Sequence, residues 1–147
     1  MDNEMTLIFA AKMENESLAR LAIMSFITPI DPTLDELDEC KTIVSEAVSN
    51  AIIHGYDNGN IEGFITMHAI RQNNQLTVSI SDEGRGIENV ERAMEPLYTT
   101  KSELERSGMG FTIMESFSDY LQVDSIVGKG TVITFSKNFL IITSMAM

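Results

Sequence analysis

Glu46, Asn50 and His54 stand four residues apart, so on a helix, at 100° per residue, they drift only about 40° per step and share one face. A carboxylate, an amide and an imidazole on one face can be a solvated surface or the lining of a site, and the trio alone does not decide between them. Asp82-Glu83-Gly84-Arg85-Gly86 sets a carboxylate before two glycines, which admit either positive φ or close backbone approach to a ligand. An ordinary turn has the same composition. Gly108-Met109-Gly110 precedes an apolar stretch, where the free amides and positive end of a helix could take a phosphate. Gly128-Lys129-Gly130-Thr131 reads by itself as a hairpin turn.

The elements that must position these residues follow from hydrophobic periodicity. Thr6 to Ala11 is a short apolar run and reads as a strand; Asn15-Glu16-Ser17 then opens a helix with Leu18, Leu21, Ala22 and Phe26 at helical spacing. Pro29 and Pro32 break it, and Thr33-Leu34-Asp35-Glu36 restarts one, since Thr33 can cap the first amides while Glu36 reaches back to the Thr33 N–H. This second helix is predicted from Leu34 to about Ile53, with Leu37, Cys40, Val44, Ala47, Val48 and Ala51 facing the core. Gly55 and Asp57-Asn58-Gly59-Asn60 end it, and Phe64 to Ile70 and Gln75 to Ser81 form a hairpin about the turn Arg71-Gln72-Asn73-Asn74. Asp82 to Ser107 is a loop region of about 25 residues, long enough to suggest a functional role, with a short helix at Glu88 to Met94. An apolar helix to about Phe117, a strand from Tyr120 to Ile126 and another from Thr131 to Phe135 complete the order. Helices grouped on one face of a mostly antiparallel sheet make a two-layer α+β sandwich.

A length of 147 residues suits one domain with a single sizeable core. With 44% hydrophobic and 22% charged residues, neither a disordered nor a fibrous chain fits. The net charge of −12 disfavours direct contact with nucleic acid and would attract a basic protein. Cys40 is the only cysteine, and the acidic start Met1-Asp2-Asn3-Glu4 is unlike a signal peptide; both suggest the cytoplasm. Phe139 to Met147 is about half the length of a membrane span, so no membrane association is expected, and it reads as a docked or frayed tail.

Glu-x-x-x-Asn on a helix, Asp-x-Gly-x-Gly after a strand, a long loop, Gly-x-Gly before a helix and Gly-Thr entering a strand occur in that order. The ordered set resembles the ATP-binding fold shared by gyrase, the ninety-kilodalton chaperone class, histidine kinases and MutL, the GHKL superfamily. More narrowly, Ser45-Glu46-Ala47-Val48-Ser49-Asn50-Ala51-Ile52-Ile53-His54-Gly55-Tyr56, Pro96-Leu97-Tyr98-Thr99-Thr100-Lys101 and Glu105-Arg106-Ser107-Gly108-Met109-Gly110-Phe111 are similar to the anti-sigma F factor family of endospore-forming bacteria. The likeness runs from about Met5 to Phe135 and leaves the last dozen residues unassigned.

The resemblance implies one GHKL-type (Bergerat) ATP-binding kinase domain over residues 1–147, with 137–147 unassigned and a mixed, mostly antiparallel sheet. Asp82 would select adenine, since a carboxylate accepts from the adenine amino group and not from guanine's carbonyl, with Thr131 assisting. Asn50 would give its amide oxygen to Mg²⁺, which keeps several waters and needs no protein cage. Gly84, Gly86, Gly108 and Gly110 would line the ATP site, while Lys101 and Arg106 neutralise phosphate charge. Glu46 would be the general base toward a serine hydroxyl on a small anti-anti-sigma protein. Arg20, with Glu16 as its i−4 ion-pair partner, would contact both that protein and a sigma factor. His54 would support the site or only pack at the helix end. A homodimer pairing through Thr6 to Ala11 is expected. Two alternatives stand beside this reading. One is a histidine-kinase-like catalytic domain, although His54 and His68 sit on no dimerisation helix; the other is a non-enzymatic acidic binding module whose glycine boxes are turns.

Overall fold

In the computed structural model, residues 2–95 and 110–140 are described. They run β1 (Asn3–Ala10), α1 (Glu16–Ile27), α2 (Leu34–Asn50), a π-helical turn (Ala51–Gly55), β2 (Phe64–Gln72), β3 (Gln75–Asp82), α3 (Val90–Ala93), α4 (Gly110–Phe117), β4 (Tyr120–Ile126) and β5 (Gly130–Asn138). The five strands form one sheet in the order β1-β2-β3-β5-β4. All four pairings are antiparallel, so the described sheet carries no parallel pair.

The strict two-residue alternation of β2 and β3 sorts the sheet into two faces. Ile65, Met67, Ala69, Leu76, Val78, Ile80, Ile133 and Phe135 are buried on one face, under Ala19, Ile23 and Phe26 of α1, Ile43, Val44 and Val48 of α2 and Met114 of α4. The opposite face presents Thr66, His68, Ser79, Ser81 and Thr134, all half-buried. His68 is ion-paired there with Glu4 of β1. This is the one-sided layering expected from grouped helices on a sheet.

The start of α2 is built as its sequence dictates. Thr33 Oγ1 accepts from the Glu36 N–H at 3.1 Å and Glu36 Oε1 accepts from the Thr33 N–H at 2.9 Å, a complete capping box. Cys40, Ile43, Val44, Ala47 and Val48 are fully buried along the inner face, and burial pushes the Cys40 thiol up to about 12, so it stays protonated and unreactive. Leu37 is only half-buried.

Several boundaries differ from the periodicity reading. β1 begins at Asn3, since it pairs with β2 from Asn3↔Arg71 to Ala10↔Phe64; Asn3 and Glu4 are polar and exposed, so they carry no apolar signal. β5 continues to Asn138 because Lys137 is buried, donating to Glu39 Oε1 at 2.7 Å and to the Phe117 carbonyl at 2.8 Å. The chain stays docked through Leu140, whose N–H donates to Glu36 Oε2 at 2.9 Å. The α-helix stops at Asn50, and the next turn is wider, with the Tyr56 N–H donating to the Ala51 carbonyl at 3.0 Å. No helix among the described residues is long and apolar enough to cross a membrane.

Candidate functional site

Three polar side chains line up across one end of the buried face of the sheet. Asp82, the last residue of β3, stands opposite Thr131 on β5, and Thr131 opposite Ser125 on β4. The equivalent row one pleat further in is Ile80, Ile133 and Val123. Asp82 is 8% exposed and Thr131 7%, and a polar row at that depth needs partners. Asp82 Oδ1 accepts from the Gly84 N–H at 2.9 Å. Burial pushes the Asp82 carboxyl above its ordinary range, against the backbone N–H groups of Gly84 and Thr131, which favour its charged form.

The walls around Asp82 are backbone. A Cβ on Gly84 would lie 2.2 Å from the Gly55 carbonyl oxygen, and the Arg85 N–H donates to that same oxygen at 2.9 Å. Gly86 adopts φ +78°, and a Cβ there would lie 2.4 Å from the Ile126 carbonyl, so both glycines are fixed by close approach of protein backbone. Gly55 packs on the carboxylate itself, a Cβ falling 3.1 Å from Asp82 Oδ1. Tyr56, 2% exposed, closes the floor: its hydroxyl donates to the Phe64 carbonyl and accepts from the Glu83 N–H, both at 2.7 Å. Burial raises the Tyr56 hydroxyl above its usual range, which keeps it protonated to serve both contacts.

At the other end of the same helical stretch, Glu46 and Asn50 meet α4. A Cβ on Gly110 would lie 3.2 Å from Asn50 Nδ2 and 3.3 Å from Glu46 Oε2. The first residue of α4 thus rests on the carboxylate and the amide, and neither side chain is fully solvated. His54 lies in the π-helical turn, half-buried. Arg20 forms the expected ion pair on α1, its Nε 2.6 Å from Glu16 Oε2, and Glu16 Oε1 accepts from the Ser45 hydroxyl at 2.9 Å. The structure brings Glu46 and Asn50 against Gly110, and Asp82 beside Gly84 and Thr131, while Gly86 packs on the end of β4 and Arg20 lies on α1. Lys101, Arg106 and Gly108 lie outside the described residues.

The donor set suits a hard cation accompanied by an anionic ligand. No cluster of three or more His, Cys, Asp or Glu among the described residues could hold a metal, while the Asn50 amide oxygen is a neutral, hard ligand of the kind Mg²⁺ takes beside phosphate oxygens. Gly110 leaves the cradle above Asn50 and Glu46 free of a side chain.

Two residues of this site escape sequence reasoning. Tyr56 follows the glycine at the end of a helix and reads as an apolar anchor. Ser125 hides in β4, where Leu121, Val123 and Ser125 fall on one face by alternation; a serine at the third of these core-facing positions is the available signal.

Residues 9–137 match the histidine kinase-like ATPase domain family. An anti-sigma F factor from Lysinibacillus sphaericus is 58% identical over 147 residues, 100% of both chains, and one from Clostridium acetobutylicum is 55% identical over 97% of this chain and 98% of its own. In fold, the chain is similar to the RsbU and RsbW domains of Rv1364c from Mycobacterium tuberculosis, with a TM-score of 0.67 at 15% identity, covering 93% of this chain and 32% of that longer one. It is also similar to the catalytic domain of the histidine kinase ThkA, with a TM-score of 0.57 at 18% identity over 92% of this chain and 96% of that one. With its ATPase-type domain and with identities above one half along its whole length, the chain belongs to the anti-sigma F factor family.

Proposed function

We propose that this chain binds ATP with Mg²⁺, phosphorylates a serine on a small anti-anti-sigma protein, and in its nucleotide-bound form holds a sigma factor of the F type. The observation that carries the reading is the convergence of Glu46 and Asn50 on Gly110 at the start of α4, on the same helical stretch whose far end packs on Asp82. From Glu46 to Gly55 is nine residues, roughly 13 Å of helix, a span suited to a nucleotide lying with its base at Asp82 and its terminal phosphate at Glu46. A solvated helix face would have no reason to be met at both ends by closely packed glycines.

Each residue then has a role. Asp82, with Thr131 beside it, accepts from an exocyclic amino group, which favours adenine over guanine. The amide at Gly110 and the positive end of α4 face the phosphates, with Gly108, Lys101 and Arg106 of the preceding segment completing that side. Gly84 and Gly86 hold the loop that carries Asp82. Asn50 would hold Mg²⁺, which when bound offsets phosphate charge. Glu46 takes the proton of the serine hydroxyl, and its place one turn before Asn50 sets it beside the phosphate end of the pocket. Arg20, steadied by Glu16, offers a guanidinium on α1 to the protein partners, and the net charge of −12 favours a partner with a basic surface. The setting is the cytoplasm, without contact to DNA or membrane.

Affinity capture from a lysate of the source cells tests the assignment. In ATP the chain should retain a sigma factor, and in ADP a small serine-bearing protein. The same captured set in both nucleotides, or neither partner in either, contradicts it.

A further inference from the structure

Ser125 makes three polar contacts, and one arrangement of protons satisfies all three at once. The Ile87 N–H donates to Ser125 Oγ at 2.7 Å. The Gly130 carbonyl lies 3.1 Å from Ser125 Oγ and can only accept, so the single serine proton goes there. Thr131 Oγ1 lies 2.8 Å away, and in that arrangement the Thr131 hydroxyl is the donor. Thr131 Oγ1 therefore turns only lone pairs toward anything else that approaches it. Ionised Asp82, its neighbour across the strand pairing, is likewise acceptor-only.

We infer that Ser125 sets the hydrogen-bonding polarity of Thr131, so that Asp82 and Thr131 together form an acceptor-only surface that takes the 6-amino group of adenine and rejects the 6-carbonyl of guanine. The inference rests on the ATP-binding reading above and adds a specificity-determining residue to it. Ser125 is a positioning residue: it acts through Thr131. The row is built for this, because the alternation of β4 would otherwise put an apolar side chain at Ser125, as it does at Leu121 and Val123. Without the Ser125 hydroxyl the Thr131 proton is released and can turn to a ligand carbonyl, which removes Thr131's share of the repulsion toward guanine and leaves that of Asp82.

Calorimetric titration of ATP and of GTP, each with Mg²⁺, tests this on the full chain and on Ser125→Ala, Ser125→Thr, Thr131→Val and the double variant Ser125→Ala/Thr131→Val, with thermal melts to establish folding. The wild type should prefer ATP. Ser125→Ala should lower the ATP:GTP affinity ratio by about tenfold, the size of one hydrogen bond, and Ser125→Thr, which keeps the hydroxyl, should restore it. In the Thr131→Val background, Ser125→Ala should lower the ratio no further, since the residue it acts through is gone. A wild-type ratio in Ser125→Ala, including an equal loss of affinity for both nucleotides, overturns the inference, as does an additive double variant. If Ser125→Ala does not fold, Ser125→Cys, a poorer hydrogen-bonding partner, takes its place with the same two outcomes. A wild type that binds ATP and GTP equally overturns the base reading at Asp82 and this inference with it, whereas a preference for ATP unchanged in every Ser125 variant overturns this inference alone.

Discussion

Burying Asp82 at the end of β3 works against the folded state, since desolvation raises its carboxyl while only backbone N–H groups support the charge. A group whose folded pKa is raised binds its proton more tightly when folded, so stability falls as pH rises from the ordinary carboxylate value through the raised one, and the whole penalty is present only above that raised value. Asp82→Asn keeps the acceptor for the Gly84 N–H and removes the charge. Its melting temperature without nucleotide should exceed the wild type's at pH 7, and the difference should vanish in acid below the usual carboxylate range; its preference for ATP over GTP should be lost. Thermal melts across pH and paired titrations check both. Asn50→Ala should lose Mg²⁺-dependent nucleotide binding and with it the ATP-dependent hold on the sigma factor, measured by titration with and without Mg²⁺. Glu46, Asn50 and Asp82 stand out in the sequence only as members of an ordered set of motifs, since each alone reads equally as a solvated helix face or a turn. Tyr56 and Ser125 do not, because their importance lies in partners distant in sequence, Phe64 and Glu83 for one, Ile87 and Thr131 for the other.

Helix α2 and the π-helical turn that continues it meet both ends of the proposed site, so the anchoring of α2 matters to both. Glu36 accepts from Thr33 at the helix start and from Leu140 of the docked chain end. Burial alone would raise its carboxyl, but those hydrogen bonds and the charge of Lys137 outweigh it and hold it below the ordinary range. Glu36 therefore contributes stability above the usual carboxylate pKa, and the contribution is lost as pH falls through the lowered value. Thr33→Ala should cost about 1 kcal/mol in denaturant unfolding. Glu36→Ala should cost about 1 to 3 kcal/mol, since it removes hydrogen bonds to a charged group, and its deficit should shrink in strong acid. The capping box is legible because it is local, four residues long and fixed by backbone chemistry. The ends of β1 and β5 are not: Asn3 and Glu4 form strand only because β2 offers a partner, and Lys137 is buried only because Glu39 and the end of α4 meet it.

For the whole molecule, β1 is an edge strand whose own Ile8 is 62% exposed, and Leu21 of α1 is 65% exposed; an unpaired strand edge with apolar residues invites a second copy. Light scattering at micromolar concentration should give twice the chain mass of 16.3 kDa, with or without ATP; 16.3 kDa in both would rule the dimer out. The layering was legible because grouped helices and hairpins leave few arrangements, while the wide turn after Asn50 was not, because Ala51 and Ile52 are apolar and continue the helical pattern in sequence. The account as a whole turns on whether the face bearing Glu46 and Asn50 does chemistry. Labelled phosphate transfer from ATP to the serine of the antagonist protein, measured for wild type and Glu46→Gln beside the ATP affinity of each, decides it. The account predicts transfer by the wild type, a fall of roughly 10²- to 10⁴-fold in Glu46→Gln, about 3 to 5 kcal/mol of barrier, and nearly unchanged ATP affinity. Near-normal transfer by Glu46→Gln, or loss of ATP binding in that variant, would contradict Glu46 as the base.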